Sequence, residues 1–115
     1  MKTIANCTTG EFIKQIYTLS EKIKKYADNI KKLKADNIGD TTQAFSLIKA
    51  ICNDNIEDTF EICGAMCFMS GEEFANLDPA QGDDGIVAIS QILGSERCIN
   101  FFMSALRMKN IYSML

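Results

Sequence analysis

The apolar run Phe12, Ile16, Leu19, Ile23, Tyr26, Ile30 and Leu33 constrains this chain more than any other feature. Its steps alternate between four and three residues, the heptad spacing of a single helix face. A helix that carries such a seam must lay it along another helix. Thr8, followed by Glu11, supplies a start. The hydroxyl of the first serves a free backbone amide of the opening turn, and the carboxylate of the second reaches back to the cap. The pattern predicts a first helix from Thr8 to about Ala35, with a lysine-rich face beside the seam. Glu21, four residues before Lys25, adds a supporting ion pair on that face.

Helical period continues down the chain. Asp36 to Asp40, with Gly39 inside, reads as a turn. Thr42 to about Cys52 forms a second helix with Ala44, Phe45, Ile48, Ile51 and Cys52 on its apolar face. Asp54 is the expected N-cap of a third, whose stripe is Ile56, Phe60, Cys63 and Cys67. No charge occurs from Ile62 to Met69, so this helix is expected at the centre of the core. Ser70 with Glu73 forms another capping box, ahead of a short turn carrying Phe74 and Leu77. Asp78, Pro79 and Gln81 open a further helix that is weakened at Gly82 and Gly85, firm from Ile86 to Leu93, and stopped by Gly94. Ser95 caps the last, from Glu96 to about Met108, with Ile99, Phe102, Met103 and Leu106 on one face. No hairpin signal interrupts the series. The expectation is one all-α domain over residues 1–115, a compact bundle of about five or six helices with a long N-terminal amphipathic helix.

The chemistry the chain can support is narrow. It has no histidine, which removes the commonest general base and the commonest metal ligand. Cys7, Cys52, Cys63, Cys67 and Cys98 include no Cys-x-x-Cys pair, so no metal or other cofactor is expected. Cys63 and Cys67 share a helix face, where small buried apolar residues are the usual reading. Cys7, ahead of the first helix, is the expected exposed thiol. The odd cysteine count and the polar opening MKTIANCTTG indicate a reducing compartment without export, and no apolar stretch is long enough to span a bilayer. The paired acids Glu72–Glu73 and Asp83–Asp84 sit at helix starts, where the helix dipole favours anions. Nothing here resembles a catalytic constellation, and an enzyme is not expected.

Charge is unevenly spread. Residues 1–36 hold eight basic and four acidic groups, whereas the remainder holds four basic and eleven acidic. One reading of the basic segment is an anionic partner such as nucleic acid, through the Lys22–Lys34 face. The other is a solvated face, or a positive helix lying against a negative neighbour.

Three blocks carry a family resemblance. The opening MKTIANCTTGEFIKQ, the stretch DTFEICGAMCFMSGEEFANLD and the stretch ISQILGSERCINFFMSAL together resemble the small tail assembly chaperones of tailed phages and prophages of Gram-positive bacteria. Order and spacing agree over residues 1–20 and 57–106, and the chain departs from the pattern and is shorter over 21–56. The resemblance implies a cytoplasmic protein of the bacterial host cell. It would coat the long helical tape measure protein while tail tube subunits polymerise around it, and it would correspond to the short form where a longer frameshifted form also exists. A coat for a long helical client usually repeats subunits, so a homo-oligomer is expected, and the short apolar stretches give no membrane association. On the seam argument, Phe12, Ile16 and Leu19 are expected to serve the chain's own core. Ile23, Tyr26, Ile30 and Leu33 are expected to outrun that core and make intersubunit or client contacts. The alternative is a small helical nucleic-acid-binding or regulatory protein.

Overall fold

The computed structural model describes residues 1–26, 49, 52, 55–101, 103 and 104. Among them all regular structure is helical and no strand occurs, so the chain is all-α. Numbering the described helices in chain order, α1 is Thr9–Ile23, α2 is Ile56–Met66, α3 is Gly71–Ala75 and α4 is Gly85–Leu93. Helix α5 covers 96–101 and continues at 103–104.

Local chemistry sets each start. Thr8 accepts from the Glu11 amide, and the Glu11 carboxylate accepts from the Thr8 amide, completing the expected capping box of α1. Ser70 and Glu73 repeat the arrangement at α3. At α2 the cap is Asn55, not Asp54: its side chain accepts from the amides of Glu57 and Asp58, and its carbonyl takes the Thr59 amide. Both residues suit the role, and the helix begins one position later than expected. Pro79–Gln81 is a separate 3-10 turn capped by Asp78. Gly82, at φ 93, turns the chain left-handed, and Asp84 caps α4 afresh. The single helix expected from Asp78 is therefore two elements. Helix α1 likewise changes to a 3-10 turn at Lys24–Tyr26. The expected extension to Ala35, and the second helix over 42–52 apart from Lys49 and Cys52, lie outside the described residues.

Helix α2 is the hub. Ile62, Cys63, Gly64, Ala65 and Met66 are consecutive and all buried, as the uncharged stretch predicts. Ile56, placed on the apolar stripe by its spacing, is instead 61% exposed, because only the C-terminal half of α2 is surrounded. Helix α1 lies along α2 through the Gln15 side-chain amide, which donates to the Ala65 carbonyl, and through a Lys22–Glu61 ion pair at 3.1 Å. Helix α4 closes the core with Ile89 and Ile92, both fully buried.

The α2–α3 corner is built on two glycines. The chain leaves α2 through a left-handed residue, Phe68 at φ 58. The Met69 amide returns to the Gly64 carbonyl at 3.0 Å and the Phe68 amide to Ala65 at 3.4 Å, the double bond of a Schellman turn. Phe68 occupies the place glycine usually takes, its ring packed on the core with the Lys2 ammonium 5.2 Å above it. A side chain on Gly64 would meet the backbone of Met69 and Ser70, and one on Gly71 would meet the backbone of Phe60 and Glu61.

The segment before α1 folds back into the same core. Ile4 is fully buried and donates its amide to the Met66 carbonyl at 3.0 Å. Arg97 of α5 donates to the carbonyls of Ile4 at 3.2 Å and Cys7 at 2.8 Å, with its guanidinium 4.9 Å from the centre of the Phe12 ring. One cation thus fastens the N-terminal turn, α1 and α5 together. Arg97→Met keeps much of the bulk but leaves two part-buried carbonyls without their donor. Stability is expected to fall by about 2 kcal/mol, read as a lower urea midpoint with faster proteolysis before Thr8. An unchanged midpoint would show that water replaces the guanidinium at no cost.

The fold-back also explains a correction. Cys7, expected to be the exposed thiol, is buried, as are Cys52, Cys63, Cys67 and Cys98. Burial pushes the Cys63 thiol up to about 12, helped by Cys67 and Cys52 beside it. Burial likewise pushes Cys67 up to about 11 and raises Cys98. Below pH 9.0, the ordinary thiol value, both folded and unfolded chains keep these protons. Above it the unfolded chain releases protons that the folded chain retains, so stability falls as pH rises. The urea midpoint is expected to drop between about pH 9 and 11, less steeply in the Cys63→Ala, Cys67→Ala double variant. Equal slopes would remove the thiols as the cause.

Candidate contact surface

Helix α1 presents two apolar stripes. The inner one packs as expected: Phe12 and Leu19 are buried, and Ile16 and Ile23 lie against the core. The outer one was not anticipated. Ile13 and Tyr17, each one position after a seam residue, point away from α2 and are 51% and 72% exposed. The face beside the seam is therefore not simply lysine-rich.

Phe101 completes a surface with them. It lies on α5 and meets Phe12 edge to face, ring centres 5.2 Å apart. It remains 39% exposed. Phe12, Ile13, Ile16, Tyr17, Ser20 and Phe101 line an open groove of about 250 Å³ between α1 and α5. Phe12 and Ile16 form its floor, Ile13 and Tyr17 one wall, and Phe101 the other. Arg97 steadies that floor from beneath, through its contact with the Phe12 ring. The lining is almost wholly apolar, with the Ser20 hydroxyl turned back to the Ile16 carbonyl at 2.8 Å. A surface of this kind can bind by burying hydrocarbon.

Of the residues expected to contact a partner, Ile23 and Tyr26 are described and do not line this groove. Ile23 is half-buried against the core, and Tyr26 is 8% exposed and belongs to the core cluster. Ile30 and Leu33 lie outside the described residues. Ile23 and Tyr26 pack within the chain, and the exposed apolar residues of α1 are Ile13 and Tyr17. A signal for this was present, since Ile13 and Tyr17 are four apart and hence stacked on one face. What spacing alone does not reveal is which of two adjoining stripes the rest of the chain covers.

Other exposed apolar residues among those described lie apart from this groove. Ile86 and Val87 sit on the first turn of α4, and Ile56 opens α2. Among the described residues no group of three or more histidine, cysteine, aspartate or glutamate side chains is placed to hold a metal ion. Nor is any helix among them long and apolar enough to cross a membrane. No protein-family model, curated protein or solved structure matches this chain.

Proposed function

We propose that this chain is a non-catalytic contact protein, a phage tail assembly chaperone that covers apolar stripes of the helical tape measure protein until the tail tube encloses it. The observation that carries this reading is the open apolar groove between α1 and α5, walled by Ile13, Tyr17 and Phe101. A groove between two helices takes the apolar face of a third, whose anchors recur every three or four residues. A tape measure protein offers long runs of such faces, and the resemblance of residues 1–20 and 57–106 is what points to one as the client. Helix α1 is held on α2 and α5 by Gln15, Lys22 and the Arg97 contact with Phe12, so the groove is preformed.

The basic segment supports the blander of its two readings. Lys2 is paired with Glu11, and Lys22 bridges to Glu61 near the acidic start of α2. The second of these pairs sets a lysine of α1 against a carboxylate of α2. Lys31, Lys32 and Lys34 lie outside the described residues.

The test is co-expression with the tape measure protein encoded in the same genome. With this chain present, the tape measure protein is expected in the soluble fraction and in a complex that co-purifies with it. Insoluble tape measure protein irrespective of this chain would end the reading. So would binding of duplex DNA with the steep salt dependence of phosphate contacts.

A further inference from the structure

The outer face of α1 has a regular spacing of its own. Gly10, Ile13, Tyr17, Ser20 and Lys24 are all exposed and recur at steps of three, four, three and four. The spacing is that of a heptad, next to the seam that packs inside, with Ile13 and Tyr17 as its apolar members. Space is open where a side chain on Gly10 would stand, so another backbone can come close at that end.

The two flanks of this seam differ, and the difference selects a partner. One flank carries Lys14 and Glu21, seven residues apart on the same edge of the helix, both exposed. Among the described residues neither has an ion pair, although Lys2, Glu11, Lys22 and Glu61 around them are paired; the side chain of Lys25, the partner expected for Glu21, lies outside them. The other flank is apolar, made by Ile16 with Phe101 behind it. In a parallel helix pair each flank meets the opposite flank of its partner, which would press the charged edge onto the apolar one. In an antiparallel pair each flank meets its own kind. A two-fold axis beside Tyr17 then sets Lys14 opposite the partner's Glu21, and by symmetry Glu21 opposite the partner's Lys14. The apolar grooves adjoin on the other edge. Such self-complementarity is what an isologous dimer requires.

We infer that a second copy of this chain docks antiparallel on the outer face of α1. The pair covers Ile13 and Tyr17 when no client is bound. A client helix that seats in the groove must then displace the second copy, so the dimer is a resting form. That regulatory consequence rests on the client reading of the groove, whereas the pairing does not.

Sedimentation equilibrium of the full chain at low salt tests the pairing, with circular dichroism confirming that each variant stays folded. The wild type is expected to dimerise below roughly 100 µM. Tyr17→Glu is expected to be monomeric there. Lys14→Glu and Glu21→Lys each turn two attractive contacts into two repulsive ones and should weaken the dimer by roughly threefold to tenfold. The double variant Lys14→Glu, Glu21→Lys restores opposite charges across the axis and should return to within about twofold of wild type. Three results would overturn the inference: a monomeric wild type, a dimer indifferent to Tyr17→Glu, or a double variant no better than the singles. A monomeric wild type that still keeps the tape measure protein soluble would remove the dimer and leave the proposed function standing.

Discussion

Gly64→Ala is expected to be among the most damaging single changes in this chain. A Cβ at that position would lie 2.6 Å from the Ser70 carbonyl oxygen, 2.8 Å from that of Met69 and 2.9 Å from the Ser70 carbonyl carbon. All three atoms are backbone, so no side-chain rotation relieves the clash. The α2–α3 corner must open, and with it the Schellman bonds that end α2. Overpacking of this kind costs about 3 kcal/mol, a large share of the stability of a domain this size, and lowers the melting temperature by roughly 10 °C. Gly71→Ala should follow the same direction with a smaller loss. Its Cβ would lie 2.9 Å from the Glu61 amide nitrogen and 3.0 Å from the Phe60 carbonyl carbon. Gly10→Ala is the counterpart: nothing stands within 4 Å of its added methyl. A gain of about 0.5–1 kcal/mol is expected there from reduced freedom of the unfolded chain. Thermal melts of the three variants decide the point. A Gly64→Ala protein as stable as wild type would mean that the corner is looser than its backbone contacts imply.

The second large effect concerns binding rather than folding. Ile13→Glu with Tyr17→Glu removes the outer wall of the groove and sets two carboxylates where a client's hydrocarbon would lie. Both side chains are more than half exposed, so the core loses little, and glutamate is a good helix former. Helical content should be unchanged and the melting temperature within a few degrees of wild type. Affinity for the tape measure protein should fall about 100-fold or more, as expected when central aromatic and aliphatic anchors are lost. The matched control is Ile86→Glu with Val87→Glu, which alters an equally exposed apolar pair on α4 and should leave binding unchanged. If both double variants bound the client as the wild type does, the contact surface would lie elsewhere on the chain.

These two predictions draw on different amounts of what the sequence reveals. Helix starts were legible because their chemistry is local: Thr8 with Glu11, Ser70 with Glu73, and Asp78 before Pro79 each satisfy amides within three residues. The inner seam was legible for the same reason, and Phe12 and Leu19 are buried where the heptad puts them. The burial of Cys7 was not. It depends on Ile4 bonding to Met66 and on Arg97 reaching back across about ninety residues, and no window of sequence spans that distance. The importance of Gly64 and Gly71 lies in how closely two backbones pass, which composition does not record. The contact surface was half legible. The sequence indicates that α1 has apolar residues to spare, but the placement of α2 and α5 decides that Ile13 and Tyr17 are the ones left outside.

The central claim is that the groove walled by Ile13, Tyr17 and Phe101 is where the client lies. A photo-crosslinking amino acid placed at Tyr17, with parallel placements at Ile86 and Glu72, tests it most directly. The three chains are co-expressed with the tape measure protein, irradiated, and read by mass spectrometry. The claim predicts a crosslinked adduct from position 17, on the apolar face of a tape measure helix, and none from positions 72 or 86. Adducts from 72 or 86 with none from 17 would contradict it.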